Sequence, residues 1–262
     1  MISSHKKRVI TGIILALFFL WVIFFSCPLF FSIAFGIISI FCLWEFYSLF
    51  WQEKNLYLKV LGAVFCLLIL TSPFFKINPL FFLILPFWIV NLLFLLFFNK
   101  KNVDWKDLQV FTCGLIYIPF VFFLLNLLKR KEVFFVLLAS FASDIGAYYV
   151  GTLMGEKKLC PRISPNKSWM GSFGGLFLCV FLCSLVGVYF NHSKWYHFVW
   201  ISILLNISAQ LGDLFESALK RSLNVKDSGN LLPGHGGFLD RFDSVLFAIP
   251  VYFVIRHFLP II

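Results

Sequence analysis

The stretch that decides the fold is FFSIAFGIISIFCLWEFYSLF, residues 30–50, in which Glu45 is the single charged side chain. A run of about 20 apolar residues is long enough to cross the hydrocarbon core of a bilayer as a helix. A helix also satisfies its own backbone hydrogen bonds, as the hydrocarbon core demands. The stretch therefore predicts a transmembrane helix.

Similar runs recur along the chain and predict an all-α, polytopic integral membrane protein with about nine transmembrane helices. Hydrophobic residues make up 61% of the 262 residues and charged residues only 13%, whereas a soluble domain carries about 25% charged residues. This deficit is too large for a surface exposed to water. The predicted spans are Val9–Phe25, Phe30–Phe50, Tyr57–Phe75, Pro79–Phe98, Val110–Leu128, Val133–Gly151, Ser172–Phe190, His197–Gly212 and Val245–Ile262.

Basic residues beside the spans predict the orientation. Lys6–Arg8 put the N-terminus in the cytoplasm, and the Glu216–Arg241 loop then falls on the same side. The basic turn Lys129–Lys131 falls on the opposite side, so either it breaks the tendency or the neighbouring spans are misplaced. Because no small-residue cleavage site precedes Pro28, the first span is predicted to be retained. The net charge of +10 is typical of cytoplasmic loops rich in Lys and Arg, or of binding to an anionic lipid or substrate. No nucleic-acid partner is expected.

Charged residues concentrate in a polar segment near the C-terminus, between Asp213 and Ser244. Five of the twelve acidic residues lie there, with five basic ones: Asp213, Glu216, Asp227, Asp240, Asp243, Lys220, Arg221, Lys226, His235 and Arg241. If the eighth helix continues past Gly212, one of its faces carries Asp213, Glu216, Ser217 and Lys220, with Arg221 beside it. The alternative is a solvated cytoplasmic loop, but these charges abut predicted helix ends.

A glycine-rich turn, Pro233–Gly237, precedes Asp240 and Asp243 at the start of the last predicted helix. Glycines let the backbone approach a ligand or adopt positive φ, and amides at a helix start can bind phosphate. Hard carboxylate oxygens beside several cations indicate Mg²⁺ on a phosphorylated substrate. His235 is a general base, a phosphate or nucleobase contact, or a structural residue.

A second polar segment runs from Ser143 to Ser168. Asp144 lies inside a predicted span, where a carboxylate is costly and by default functional; the alternative is a hydrogen-bonding partner for a neighbouring helix. Ser164, Lys167 and Ser168 are predicted phosphate contacts, unless they form an ordinary turn. Glu45 is also intramembrane, and helix–helix bonding and function are equally open for it.

Residues 217–243 resemble the signature of the phosphatidate cytidylyltransferases, or CDP-diacylglycerol synthases. The matching residues are Ser217–Arg221, Lys226–Gly229 and Leu232–Asp243, and Asp144–Tyr148 and Ile163–Ser168 look like two further motifs of the family. The N-terminal half is similar in hydropathy only. One departure is Met170, where the family usually has Glu, so position 170 is left out of the predicted site.

The resemblance implies an activity: transfer of CMP from CTP to phosphatidate, giving CDP-diacylglycerol and pyrophosphate in phospholipid biosynthesis. It also implies dependence on a divalent metal, a cytosol-facing polar cavity and a homodimer. Asp213 and Asp240 match the metal-binding carboxylates of the family. The small size of the chain suggests a bacterial inner membrane.

The predicted site joins both polar segments. Catalytic roles are assigned to Lys220, Arg221, Lys226, Asp227, His235, Arg241 and Asp243. Substrate binding is assigned to Asp144, Ser164, Lys167, Ser168, Ser217, Gly236 and Gly237. Asp213 and Asp240 are predicted to hold Mg²⁺, in a site of one or two metals. Residues 1–108 are predicted to form N-terminal transmembrane helices, and residues 109–262 the catalytic region.

Three other functions compete with this interpretation. A transporter would use Asp144 and Glu45 for ion coupling, but transporters rarely need dense paired charges on a glycine turn. A lipid phosphotransferase of the CDP-alcohol type would carry Asp-x-x-Asp-Gly ahead of Ala-Arg, an arrangement that is absent. An inactive scaffold that keeps the fold is the third, and Met170 is the only feature that hints at it.

Overall fold

The computed structural model describes residues 4–52, 54–72, 74, 92, 104–191, 194–229, 231 and 236–258. Within these residues the chain is mostly helical. The helices are α1 (Ser4–Phe25), α2 (Pro28–Trp51), α3 (Leu56–Thr71), α4 (Trp105–Tyr117), α5 (Pro119–Asn126), α6 (Arg130–Met154), α7 (Trp169–Asn191), α8 (Trp195–Ser222) and α9 (Leu239–Phe258).

Several helices are long and apolar enough to cross a membrane, so the chain is a membrane protein. Among the described residues there are five such segments: Pro28–Trp51, Trp105–Asn126, Arg130–Met154, Trp169–Phe190 and Trp195–Ser222. They confirm the predicted spans in these regions. The predicted span Pro79–Phe98 lies outside the described residues apart from Leu92, and the total of nine stays a prediction.

The fifth predicted span is one candidate membrane-spanning segment, Trp105–Asn126, whose helix is interrupted once. α4 ends at Tyr117, Ile118 is distorted from regular helical angles with φ −112° and ψ −73°, and α5 begins at Pro119. Proline has no backbone N–H and its ring crowds the preceding turn, so a regular helix is interrupted there.

The eighth predicted span is longer than expected. It was predicted to end at Gly212, whereas α8 continues to Ser222. Lys220 and Arg221 occupy its last turn, where cations interact favourably with the helix dipole. Asp213, Glu216, Lys220 and Arg221 are therefore helical and not part of a loop.

A short β-hairpin interrupts the otherwise helical chain, which agrees with the predicted all-α class. Strands β1 (Lys158–Cys160) and β2 (Ser164–Ser168) pair antiparallel, with Lys158 opposite Ser168 and Cys160 opposite Ser164. The turn 161–163 joins them. Such short polar strands carry no alternation of apolar residues, so the sequence pattern gave no signal for them.

The chain divides into two compact units. The first unit comprises Met1–Arg8, Ser26–Asn126 and Asp227–Leu239, and the second comprises Val9–Phe25, Leu127–Lys226 and Asp240–Ile262. The first unit packs around the fully buried ring of Tyr47, which stacks on Phe111 at 5.8 Å between centroids. Its hydroxyl donates to the Phe111 carbonyl at 2.9 Å, so α2 and α4 are joined through an apolar and a polar contact.

In the second unit a buried ion pair joins α6 to α9. The Arg256 Nε lies 3.1 Å from Glu132 Oε1, and its guanidinium also donates to the Leu127 carbonyl at 3.0 Å. The backbone N–H of Lys129 donates to the Glu132 carboxylate at 2.5 Å. Lys129 is the N-cap of α6, and Arg130 and Lys131 are its first two residues, so the basic turn is the start of this helix and the buried Glu132 holds it.

Candidate active site

Acidic side chains of the second unit gather where α8 passes the start of α9. We call them the carboxylate cluster: Asp144, Asp213, Glu216, Asp240 and Asp243. Two lysines, Lys167 of β2 and Lys220 of α8, pair with members of this cluster. Because α6, α8 and α9 contribute the carboxylates and β2 contributes Lys167, the cluster and its lysines depend on tertiary packing and not on one segment.

Asp213 lies on the half-buried face of α8 and is paired with the hairpin. The Lys167 ammonium is 2.5 Å from Asp213 Oδ2. The Ser217 hydroxyl, one helical turn later, donates to the other carboxylate oxygen at 3.4 Å. The hairpin therefore brings a predicted phosphate contact, Lys167, directly to a predicted metal ligand.

Lys220 joins α8 and α9, which carry four of the five carboxylates of the cluster. Its ammonium lies 2.5 Å from Asp240 Oδ1 and 3.4 Å from Glu216 Oε1. The Lys220 side chain is only 12% exposed, that of Asp240 7% and that of Glu216 0%. Buried charges are tolerated when they are paired in this way, so Lys220 stabilises both carboxylates in the folded protein.

Asp144 reaches the cluster from α6. The Ser244 hydroxyl donates to its two carboxylate oxygens at 3.4 and 3.5 Å. The neighbouring residue Asp243 is buried, and its Oδ1 accepts the Ser244 backbone N–H at 2.7 Å. Ser244 thus links two carboxylates on different helices.

A glycine allows α8 and α9 to approach each other beside the cluster. A Cβ atom on Gly212 would lie 2.5 Å from the Asp243 carbonyl oxygen and 3.0 Å from the Phe247 Cβ. The Ser208 hydroxyl, one turn earlier, donates to the Phe247 carbonyl at 2.7 Å. This close approach sets the separation between Asp213 and the first turn of α9.

We expect Gly212→Ala to lower stability by about 1–3 kcal/mol, because the added methyl group meets backbone that must shift. Thermal unfolding in detergent measures this effect. Gly36→Ala in α2 is the matched control, since its Cβ would lie at an ordinary 3.7 Å from Leu70. Equal melting temperatures for the two variants would contradict the close α8–α9 contact.

A chain of polar side chains holds α6, α7 and α8 together next to the cluster. Asn206 donates to the Ser143 hydroxyl at 2.8 Å, and Gln210 donates to Asn206 Oδ1 at 2.9 Å. Gln210 also donates to the Ser172 carbonyl at 3.1 Å and accepts from the Ser172 hydroxyl. These bonds fix the rotation of α8, and so the direction in which Asp213 points.

The other predicted site residues of the second unit lie on the hairpin, on α8 and the segment after it, and on α9. Ser168 is buried, and its hydroxyl accepts the Gly171 N–H at 3.1 Å at the start of α7. Arg221 donates to the Ile163 carbonyl at 3.4 Å, so α8 also contacts the hairpin turn. The remaining three residues are half-buried Ser164 and exposed Lys226 and Arg241.

Part of the predicted site belongs to the first unit or lies outside the described residues. Asp227, Gly236 and Gly237 are in the first unit, and Gly236 has φ of 77°, as its place in a glycine turn predicts. His235 lies outside the described residues. Met170 is 44% exposed in the first turn of α7.

Two residues of the site were missed in the assignment of roles from sequence. Glu216 was placed on the polar face of α8 but given no role, although its spacing of three from Asp213 was a usable signal. Its two carboxylate oxygens are buried and accept no hydrogen bond among the described residues. Ser244 had no signal, because its partner Asp144 is 100 residues away.

A comparison with models of protein families identifies the family of this chain. Residues 6–259 match the model described as the cytidylyltransferase family. The chain belongs to the cytidylyltransferase family. The match includes both polar segments and every described residue of the carboxylate cluster.

Curated relatives of this cytidylyltransferase family member carry one name. The phosphatidate cytidylyltransferase of Bacillus subtilis is 33% identical over 269 residues, covering 97% of this chain and 98% of the relative. That of Rickettsia bellii is 32% identical over 220 residues, covering 78% and 92%. That of Staphylococcus saprophyticus is 41% identical over 158 residues, covering 58% and 60%.

The chemistry of the cluster in this cytidylyltransferase family member suits a divalent cation. Its carboxylates outnumber the lysines that pair with them in the described residues, and carboxylate oxygens are the ligands that Mg²⁺ prefers. No group of three His, Cys, Asp or Glu side chains in the described residues already has the spacing of a metal site. Asp213 and Asp240 are each paired with a lysine, and the buried oxygens of Glu216 lack a hydrogen bond, so binding of the ion is a proposal that rests on the residue types of the cluster.

Proposed function

We propose that the protein is a phosphatidate cytidylyltransferase, which transfers CMP from CTP to phosphatidate and releases pyrophosphate. The observation that carries the proposal is the carboxylate cluster with its two lysines, in a chain similar over 97% of its length to a relative with that name. Both substrates are polyanions, which need cations and a metal to approach each other.

We further propose that Asp213 and Asp240 hold Mg²⁺, with Asp243 and Glu216 beside them. Both proposed ligands are carboxylates at helix positions fixed by packing, and each already contacts a positive group. When bound, the ion supplies positive charge to the phosphate oxygens of the nucleotide. A metal titration of the purified protein would show whether one or two ions bind.

The chemical step needs little proton transfer. The second pKa of a phosphate monoester is about 6, so the attacking oxygen of phosphatidate is largely deprotonated at neutral pH. That oxygen forms a bond to the α-phosphorus of CTP while the bond from the α-phosphorus to the bridging oxygen breaks. The electron pair leaves with pyrophosphate, and no strong general base is required.

The cations of the site have separate tasks in this proposal. Lys167 and Lys220 pair with carboxylates of the cluster. They would bind the substrate phosphates when these enter the site. Arg221, Lys226 and Arg241, of which all three are exposed, would neutralise the triphosphate and the leaving pyrophosphate. Asp227 would orient those cations. The acyl chains of phosphatidate would stay in the bilayer.

The same proposal implies a cellular location and an orientation for the enzyme. The two substrates meet only if the site opens to the side where CTP is present, so we propose cytoplasmic catalytic segments in a bacterial inner membrane. The bacterial relatives support this setting. A homodimer is also proposed, and light scattering of the detergent-solubilised protein tests it.

The test of the proposed activity is pyrophosphate release by the purified protein in mixed micelles. We expect release that requires both CTP and phosphatidate, with CDP-diacylglycerol formed in equal amount. Diacylglycerol in place of phosphatidate is the control for a different acceptor. Release of pyrophosphate that is the same without phosphatidate would overturn the proposal.

Removal of the divalent metal is expected to abolish this activity. Because two polyanions must come together, we expect an excess of EDTA to reduce pyrophosphate release by about 100-fold or more, and Mg²⁺ to restore it. Initial rates over a series of free Mg²⁺ concentrations measure the requirement. Activity that persists in EDTA after dialysis would rule out the metal assignment.

A further inference from the structure

Glu45 is a buried carboxylate in the middle of an apolar helix. It lies in α2, within the stretch 30–50, and is 3% exposed. A carboxylate in such surroundings is costly unless it is hydrogen-bonded. Its partners therefore indicate what the residue is for.

Three hydrogen-bond donors to Glu45 lie in the signature segment of the first unit. The Ser228 hydroxyl donates to Glu45 Oε2 at 3.1 Å. The backbone N–H of Phe238 donates to Oε1 at 3.1 Å, and that of Leu239 donates to Oε2 at 2.9 Å. One side chain thus holds both ends of the segment 228–239.

The packing around Glu45 is tight at both ends of the segment. A Cβ on Gly229 would lie 2.6 Å from Glu45 Oε1, and a Cβ on Gly237 would lie 2.4 Å from Oε2. Phe238 also stacks on Phe41 of α2, with centroids 5.1 Å apart and planes 12° apart. The glycines of the signature are therefore needed for the approach of this carboxylate.

The hydrogen bonds of Glu45 also satisfy backbone N–H groups at the start of α9. The first N–H groups of a helix have no acceptor within the helix, and a negative charge there is stabilised by the helix dipole. Leu239 is the first residue of α9, and the next residue is Asp240. A carboxylate on α2 therefore fixes the backbone immediately before a member of the carboxylate cluster.

We propose that Glu45 is a positioning residue for the reaction: it anchors Ser228, Phe238 and Leu239 and so fixes the backbone position from which Asp240 extends. This inference rests on the proposed function for its effect on the rate. The anchoring itself is a property of the folded chain and can be measured without any substrate.

Hydrogen–deuterium exchange of the full-length protein in detergent tests the anchoring. In Glu45→Gln an NH₂ group replaces one of the two carboxylate oxygens, so one hydrogen-bond acceptor is lost. We expect peptides that cover residues 228–239 to exchange about tenfold faster or more. Exchange in the rest of the chain should not change. Ser39→Ala is the control, since Ser39 is buried on the same helix and contacts Cys66 instead. Unchanged exchange in 228–239, or faster exchange throughout the chain, would overturn the anchoring role.

Steady-state kinetics with CTP and phosphatidate test the consequence. We expect Glu45→Gln to lower kcat by about tenfold or more, with the KM for CTP changed by less than about threefold, because a small displacement of a reacting group affects the rate strongly. Ser39→Ala is expected to keep the wild-type kcat. A wild-type kcat in Glu45→Gln would overturn the positioning role. A wild-type protein that transfers no CMP to phosphatidate would instead overturn the proposed function.

If Glu45→Gln does not purify as a folded protein, Ser228→Ala takes its place. It removes one of the three described donors and leaves the carboxylate intact. We expect the same local increase in exchange in 228–239 and a smaller fall in kcat. A Ser228→Ala variant with wild-type exchange and wild-type kcat would contradict the anchoring.

Discussion

Asp240→Asn is expected to reduce cytidylyl transfer by about 100-fold or more, a rise in the barrier of about 2.7 kcal/mol. The substitution keeps the shape of the side chain and removes its charge. Asp240 is largely buried and lies 2.5 Å from the Lys220 ammonium. Loss of the charge therefore removes a proposed metal ligand and the main partner of that lysine together.

The decisive condition for Asp240→Asn is a saturating Mg²⁺ concentration. Excess Mg²⁺ offsets weaker binding of the ion but does not replace a ligand that orients the ion on the phosphates, so we expect a low rate at every concentration. Glu156→Gln, which neutralises an exposed carboxylate between α6 and the hairpin, is the matched control and should keep wild-type turnover. Near-wild-type turnover of Asp240→Asn at saturating Mg²⁺ would contradict the metal assignment.

Lys220→Met is expected to lower both stability and activity. The substitution leaves Glu216 and Asp240 without the ammonium that lies 3.4 and 2.5 Å from them. Removing one partner of a buried ion pair costs about 3–5 kcal/mol. We therefore expect a lower melting temperature in detergent and a loss of activity of about 100-fold or more.

A second substitution separates the two effects of Lys220. In Lys220→Met/Glu216→Gln one of the unpaired charges is removed, so we expect part of the lost stability to return while activity stays low. Lys106→Met, at an exposed position of α4, is the control for loss of a lysine. If the double variant regained activity along with stability, Lys220 would be a structural residue only.

The apolar runs were sufficient to predict the long helices. α2, α6 and α7 were expected from composition and length, because about 20 apolar residues have few alternatives to a helix in a bilayer. The end of α8 was placed too early, since the rule that locates spans stops at charged residues and does not follow the helix beyond them. The break before Pro119 is a local proline effect that a hydropathy window passes over.

The candidate site was predictable in its residue types but not in its pairings. The signature indicated which side chains matter, and the structure brings Lys167 to Asp213 and Lys220 to Asp240. The partners of Glu45 lie 183 to 194 residues further along the chain. No local pattern encodes such a contact, so the sequence left bonding and function equally open for Glu45.

Transfer of label from CTP tests the central claim most directly. Purified protein is incubated with phosphatidate, Mg²⁺ and CTP that carries ³²P at either the α- or the γ-phosphate, and the lipid is extracted. A phosphatidate cytidylyltransferase places the α-label in the lipid as CDP-diacylglycerol and releases the γ-label as pyrophosphate. Label from the γ-phosphate in the lipid, or no label in the lipid from either nucleotide, would contradict the account.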